Sequence, residues 1–315
     1  MRRPSVKTIR KCALALTLLS LSLNSTLFAQ DAKPAGLTVE LSMIVTDSAS
    51  KSIDQIKKED VHVIEDKVEQ TVLSIERDTR PVDCVIAIDS SGSLRRLLPT
   101  TLEAAKVIIM NRRPEDEILV MRFISSDKIE KLVDFTGDER ALLFALSQVR
   151  IEGGQSAIID ALYIAASDAF TNAKKTGKDR RKVVVIITDG EDRNSHFKQD
   201  ALLRMLRQSD VQIFAIGLVA DLDRESGLMM KSPREKAEKL LQTVTAETGG
   251  RAFLPRNKTE MMDAIAQVIT DLRGQFRLTY QSSGGDKKGF RSIEVTLNSA
   301  NGEKRKAIVP RGYEK

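Results

Sequence analysis

Tryptophan is absent, and aromatic residues of any kind make up 4% of the 315-residue chain. That poverty removes the stacking platforms on which proteins of single-stranded nucleic acid lay their bases. Cysteine is nearly absent as well, with only Cys12 and Cys84. Histidine is limited to His62 and His196, so the thiolate and imidazole sets that hold zinc are disfavoured. Neither GxGxxG nor GxxxxGKT occurs, which excludes the common phosphate-cradling loops. No nucleophile elbow accompanies His196 and Ser195, and His196 reads as a lone surface histidine.

A long hydrophobic run is also missing. The apolar stretch from Cys12 to Leu23 falls short of the roughly 20 residues that span a bilayer, and Ser22, Asn24, Ser25 and Thr26 break its far end. With Arg2, Arg3, Lys7, Arg10 and Lys11 ahead of it, residues 1 to 29 read as a secretory signal peptide. Cys12 opens the apolar run instead of following it, which argues against lipid anchoring. Cleavage leaves Cys84 alone, so no intramolecular disulfide is expected, and Cys84 reads as a small buried hydrophobe. It also removes five of the 50 basic residues against none of the 44 acidic ones, leaving a charge of +1. No basic stripe for nucleic acid remains.

What is present begins with short apolar runs, 84 to 88, 117 to 125, 182 to 188 and 211 to 219, with a weaker one at 129 to 136. Between and after them, segments 100 to 113, 139 to 149, 156 to 170, 198 to 208, 234 to 250 and 259 to 273 carry apolar residues at three and four spacing. Residues 82 to 273 are therefore expected to form a doubly wound, mostly parallel α/β domain. The flanks, 37 to 80 and 274 to 315, show only β-type runs, too few in either flank for a stable sheet. They are expected to pair as one small antiparallel β domain from which the α/β domain is inserted, with two separate extensions as the alternative.

In this topology the first and fourth strands lie side by side where the chain reverses, and ligands bind at their carboxyl ends. Asp89, in DSSGS, ends the first, and Asp189, in TDGED, ends the fourth. Two carboxylates in one crevice repel unless a cation sits between them. Ser91 and Ser93 add hydroxyl oxygens, with Gly92 allowing a tight bend. So few carboxylates suit Mg²⁺ or Mn²⁺, which keep several waters, better than an all-protein calcium cage. Read alone, DSSGS is a turn capping the next helix, and GGQS a cap with Ser156 at the N-cap.

DSSGS resembles the DxSxS signature of the metal-ion-dependent adhesion site, MIDAS, of von Willebrand factor type A domains. The loop at 153 to 162 and then IITDGED follow in that family's order. The resemblance implies that Ser91 and Ser93 coordinate the metal directly. It implies that Asp89 and Asp189 act directly or through water, and that Ser156 stands where the family usually has threonine. Serine keeps the hydroxyl but loses the methyl that stiffens its rotamer. Asp160 reads as a loop tie. EDKVEQ, FRLTY and RKAIVPRGY resemble flanks of bacterial secreted proteins that carry this domain.

The function expected is a non-enzymatic, exported, metal-dependent adhesion module, periplasmic or secreted, whose Mg²⁺ or Mn²⁺ takes an Asp or Glu from a partner protein. It would bind no nucleic acid and carry no membrane span after cleavage. The alternatives are a structural scaffold of an envelope assembly with a purely stabilising ion, and a metal-assisted hydrolase, which would need a general base or second metal. The charged segment 220 to 236 reads as a solvated loop leading into a helix, with a partner-contact role at the crevice rim as the alternative.

Overall fold

The computed structural model describes residues 37–172, 179–222, 232–285, 288–299 and 304–315. The leader at 1 to 29 and most of the segment at 220 to 236 lie outside them. The chain enters through β1 (Leu37–Thr46), β2 (Val61–Glu65) and β3 (Val68–Arg77). It continues with β4 (Val82–Asp89), α1 (Leu98–Met110), β5 (Glu117–Phe123), β6 (Ile129–Thr136), α2 (Glu139–Ser147) and α3 (Ile158–Ser167). Then come β7 (Arg181–Thr188), α4 (Gln199–Arg207), β8 (Val211–Gly217), α5 (Pro233–Glu247), β9 (Ala252–Phe253) and α6 (Lys258–Gly274). It closes with β10 (Phe276–Ser282), β11 (Phe290–Leu297), β12 (Lys306–Ile308) and β13 (Gly312–Glu314).

One sheet runs β6-β5-β4-β7-β8-β9, parallel except for β6. The weaker third run, β6, is the one antiparallel strand of this sheet. Only a tight turn separates it from β5, with Lys128 N donating to Ser125 O, and a turn that short cannot carry a parallel crossover. The fold class is the expected one, and β4 and β7 pair in parallel, so Asp89 and Asp189 end adjacent strands at the switch point.

The central runs are apolar throughout because both faces are covered. Cys84, Ile86 and Ile88 pack with α1 and α6 residues such as Ile109 and Ile265, while Val85 and Ala87 pack on Ile158, Leu162 and Leu241 of α3 and α5. Cys84 is buried, as its small apolar character implied, and the surrounding apolar groups push its thiol pKa far up.

The second sheet is antiparallel, in the order β12-β1-β10-β3-β2-β11-β13. Its strands alternate: Val39, Leu41, Met43 and Val45 face a core with Leu278, Tyr280 and Val295, while Glu40 is exposed, Ser42 is half-buried, and Ile44 packs into the core of the other sheet. Strand β10 pairs with β1 on one side and β3 on the other. Within the core, buried Glu65 accepts hydrogen bonds from Tyr280 Oη at 2.6 Å, Ser282 Oγ at 2.7 Å and Arg291 Nη1 at 3.1 Å. The two sheets are tied where Arg181 at the foot of β7 donates to Gln275 Oε1 at 3.0 Å and Leu272 O at 2.7 Å.

Candidate metal centre

Asp89 ends β4 with no exposed surface, and Ser91, one turn on, is equally buried. The Asp89 carboxylate is held from three elements. Ser91 N donates to Oδ1 at 2.9 Å, Ser156 Oγ donates to Oδ2 at 3.0 Å, and Thr188 Oγ1 donates to Oδ2 at 2.7 Å. Ser93 is exposed, and its hydroxyl lies 3.0 Å from that of Ser91. Asp189 is 4% exposed and accepts Glu191 N at 3.0 Å. All five residues singled out from the sequence thus lie at the carboxyl ends of β4 and β7, and hydrogen bonds link Ser91 and Ser156 to Asp89 and Ser93 to Ser91.

The electrostatics are unbalanced. Burial pushes the Asp89 pKa up, the charge of Asp189 adds to it, and hydrogen bonds from Thr188 and Ser91 only partly offset them, leaving it at about 6. Among the described residues no Lys or Arg pairs with either carboxylate, and none of them neutralises the crevice. Carboxylates and hydroxyls with no nitrogen or sulfur form a hard oxygen donor set, which fits a divalent cation of the Mg²⁺ or Mn²⁺ type. Among the described residues no three His, Cys, Asp or Glu side chains gather into a denser cage.

Ser156 is not the cap of α3. The N-cap is Ala157, with no side-chain cap of its own, and the Ser156 hydroxyl turns instead to Asp89. The amides a cap would satisfy are taken by Asp192, whose Oδ1 accepts Ile158 N at 2.8 Å and Ile159 N at 3.2 Å. DSSGS does not cap a helix either. Ser91 precedes a short 3-10 turn, Gly92–Arg96, without a side-chain cap bond, and the N-cap of α1 is Leu97. The Ser156 loop itself needs glycine. Gly154 has φ +100°, and a Cβ there would sit 2.7 Å from Ile124 Cγ2.

Asp160 is a loop tie, accepting His196 N and Phe197 N at 2.8 Å each. His196 is exposed, with its ring edge-on to Phe197. Thr188 and Asp192 flank the singled-out Asp189 in TDGED and went unassigned in the sequence. The signal for Thr188 was its place at the end of an apolar strand, one residue ahead of Asp189.

The von Willebrand factor type A domain model matches residues 83–267. Matrilin-3 of Mus musculus is 29% identical over 163 residues, which is 49% of this chain and 33% of its own. Matrilin-1 of Homo sapiens is 30% identical over 150 residues, 44% of this chain and 29% of its own. A structure of proximal thread matrix protein 1 from the mussel byssus, with a zinc-occupied MIDAS motif, aligns at TM-score 0.48 and 19% identity. That alignment covers 66% of this chain and 49% of the mussel protein. The chain spans a third or less of the curated relatives it matches. The family model takes in more than half of the chain, including both acidic strand ends, and the chain belongs to the von Willebrand factor type A domain family.

Proposed function

We propose that the protein is an exported, metal-dependent protein-binding module whose crevice holds Mg²⁺ or Mn²⁺ and receives an Asp or Glu carboxylate from a partner protein. The carrying observation is the buried Asp89 carboxylate beside Asp189, raised to about 6, with no Lys or Arg among the described residues to pair it. In this reading Ser91, Ser93 and Ser156 supply hydroxyl ligands, and Asp89 and Asp189 act directly or through water. The ion supplies a Lewis-acidic coordination position open to an incoming carboxylate. The chain's residues hold and orient it, and their remaining hydrogen bonds fix the carboxylates in place.

Export rests on the basic and apolar character of residues 1 to 29. Among the described residues no helix is long and apolar enough to cross a membrane. Binding is favoured over turnover because His196, the histidine beside the crevice loops, is exposed and serves them only through its backbone N–H, which donates to Asp160.

The test uses Mn²⁺-loaded protein and water-proton relaxation, which counts waters on the ion. An acidic peptide should displace water and lower the relaxation, while a peptide with Asn and Gln in place of Asp and Glu should not. Equal responses to both peptides contradict carboxylate capture. A thermal shift on metal addition, with no response to either peptide, would point to the purely stabilising ion of the scaffold reading.

A further inference from the structure

The Ser156 hydroxyl reaches Asp89 from a loop that contains two left-handed glycines, Gly153 at φ +84° and Gly154 at φ +100°. Such a segment is intrinsically loose, and yet its ends are held on both sides. On the near side, Glu152 pairs with buried Arg122 at 2.7 Å, and Glu152 N donates to Ser90 O at 3.4 Å.

On the far side the bonds come from the TDGED loop. Asp192 Oδ1 accepts the first two amides of α3, Ile158 N and Ile159 N, and also Ser195 Oγ at 2.5 Å. Ser156 O accepts Arg193 N at 2.9 Å and Asn194 N at 3.1 Å. Asp160 N in turn donates to Ser195 Oγ at 3.2 Å. The loop bearing Ser156 and the loop bearing Asp189 are therefore zipped together, with Asp192 at the centre of the zipper. A helix start leaves its first amides without intrahelical partners. Here an acidic side chain some thirty residues away along the chain supplies them, and it does so from the loop that also carries Asp189.

We infer that Asp192 is a positioning residue for the metal centre: by clamping the first turn of α3 it holds the Ser156 hydroxyl at the Asp89 carboxylate. The inference rests on the proposed metal site and goes beyond it, since Asp192 is not itself among the ligands. By filling the cap position it also releases Ser156 from capping. A serine immediately before a helix ordinarily turns back onto the helix amides. With those amides taken, its hydroxyl is free to point at the crevice.

The first test needs no variant or metal. In the metal-free protein, hydrogen exchange at Ile158 and Ile159 should be slowed well below that of free helix-start amides. Exchange at unprotected rates overturns the clamp. The second is a double-mutant cycle read as Mn²⁺ affinity by titration calorimetry. Asp192→Ala should weaken Mn²⁺ about tenfold, in the range typical of groups that orient ligands. In the Ser156→Ala background the same substitution should cost less than about twofold, because Asp192 acts through Ser156. Asp192→Asn, which keeps an Oδ1 acceptor, should retain affinity close to wild type.

An equal loss in both backgrounds, or none in either, overturns the positioning role. Should Asp192→Ala not fold, Asp192→Asn and the exchange rates still decide, because a tenfold loss in the Asn variant would show that charge and not the clamp is at work. A wild-type protein that binds no Mn²⁺ overturns the metal site itself. Wild-type binding with an unaltered Asp192→Ala variant overturns only the clamp.

Discussion

Thr188 donates its hydroxyl to Asp89 Oδ2 across 2.7 Å, tying the end of β7 to the end of β4 inside the crevice. The same oxygen accepts Gly190 N at 3.1 Å, so one hydroxyl both orients the Asp89 carboxylate and starts the turn that carries Asp189 toward the loop. Thr188→Val preserves the shape and removes both bonds. A buried hydrogen bond to a charged group is worth about 1.5–3 kcal/mol. Urea unfolding in chelator at pH 8 should show a loss of that size, and the Asp89 pKa should rise further. A loss below about 0.5 kcal/mol would mean the carboxylate does not depend on Thr188.

Asp89 also sets a pH dependence whose sign follows from its shift. Its folded pKa, about 6, stands above the ordinary 3.8, so the folded state holds the proton more tightly than the unfolded one. The ionised form is therefore destabilising in the metal-free protein above about pH 6, and the penalty fades as pH falls through that value toward 3.8. At neutral pH it amounts to about 3 kcal/mol, at 1.36 kcal/mol per unit. Asp89→Asn should accordingly raise metal-free stability at pH 7 by about 1–3 kcal/mol while abolishing metal binding. Metal affinity of the wild type should be level above about pH 7 and fall by up to about tenfold per unit below 6. Calorimetric titrations from pH 5 to 8 measure both limbs.

The buried polar cluster of the antiparallel sheet is expected to act on stability alone. Glu65 accepts from Tyr280, Ser282 and Arg291, all buried. Removing one partner of a buried ion pair costs about 3–5 kcal/mol, because the remaining charge stays out of water with less counter-charge; here Asp66, 3.7 Å from Arg291, keeps the loss at the lower end. Glu65→Ala should lower stability on that scale and leave Mn²⁺ affinity unchanged in whatever fraction remains folded. A weakened affinity would reveal coupling between the sheet and the crevice.

The α/β core was legible because β4, β7 and β8 are apolar on both faces and the helices between them carry a clear helical period. Asp89 and Asp189 followed from strand counting, since the first and fourth strands meet at the switch point in the common doubly wound order. Strand β9, of two residues, and β12 and β13, of three each, are too short to show any period. They exist because neighbouring strands offer edges, which is tertiary information. Ser156 read as a helix cap for a local reason, and lost that role to Asp192, a competitor that no short window of sequence contains. Gly249 is similar. Its φ of +70° and the 2.6 Å that would separate an added Cβ from Pro310 N belong to an approach between segments far apart in the chain.

The crevice between β4 and β7 is proposed as a working divalent-ion site. Thermal unfolding of the chain from about residue 30, in chelator and in about 10 mM Mg²⁺ or Mn²⁺, tests it most directly beside Ser91→Ala and Asp189→Ala. For a dissociation constant near 1 mM, mass action gives about 1.4 kcal/mol, or a few degrees for a domain of this size. That shift is expected in the wild type, and its loss in both variants. An unshifted wild type, or a shift that both variants keep, would contradict it.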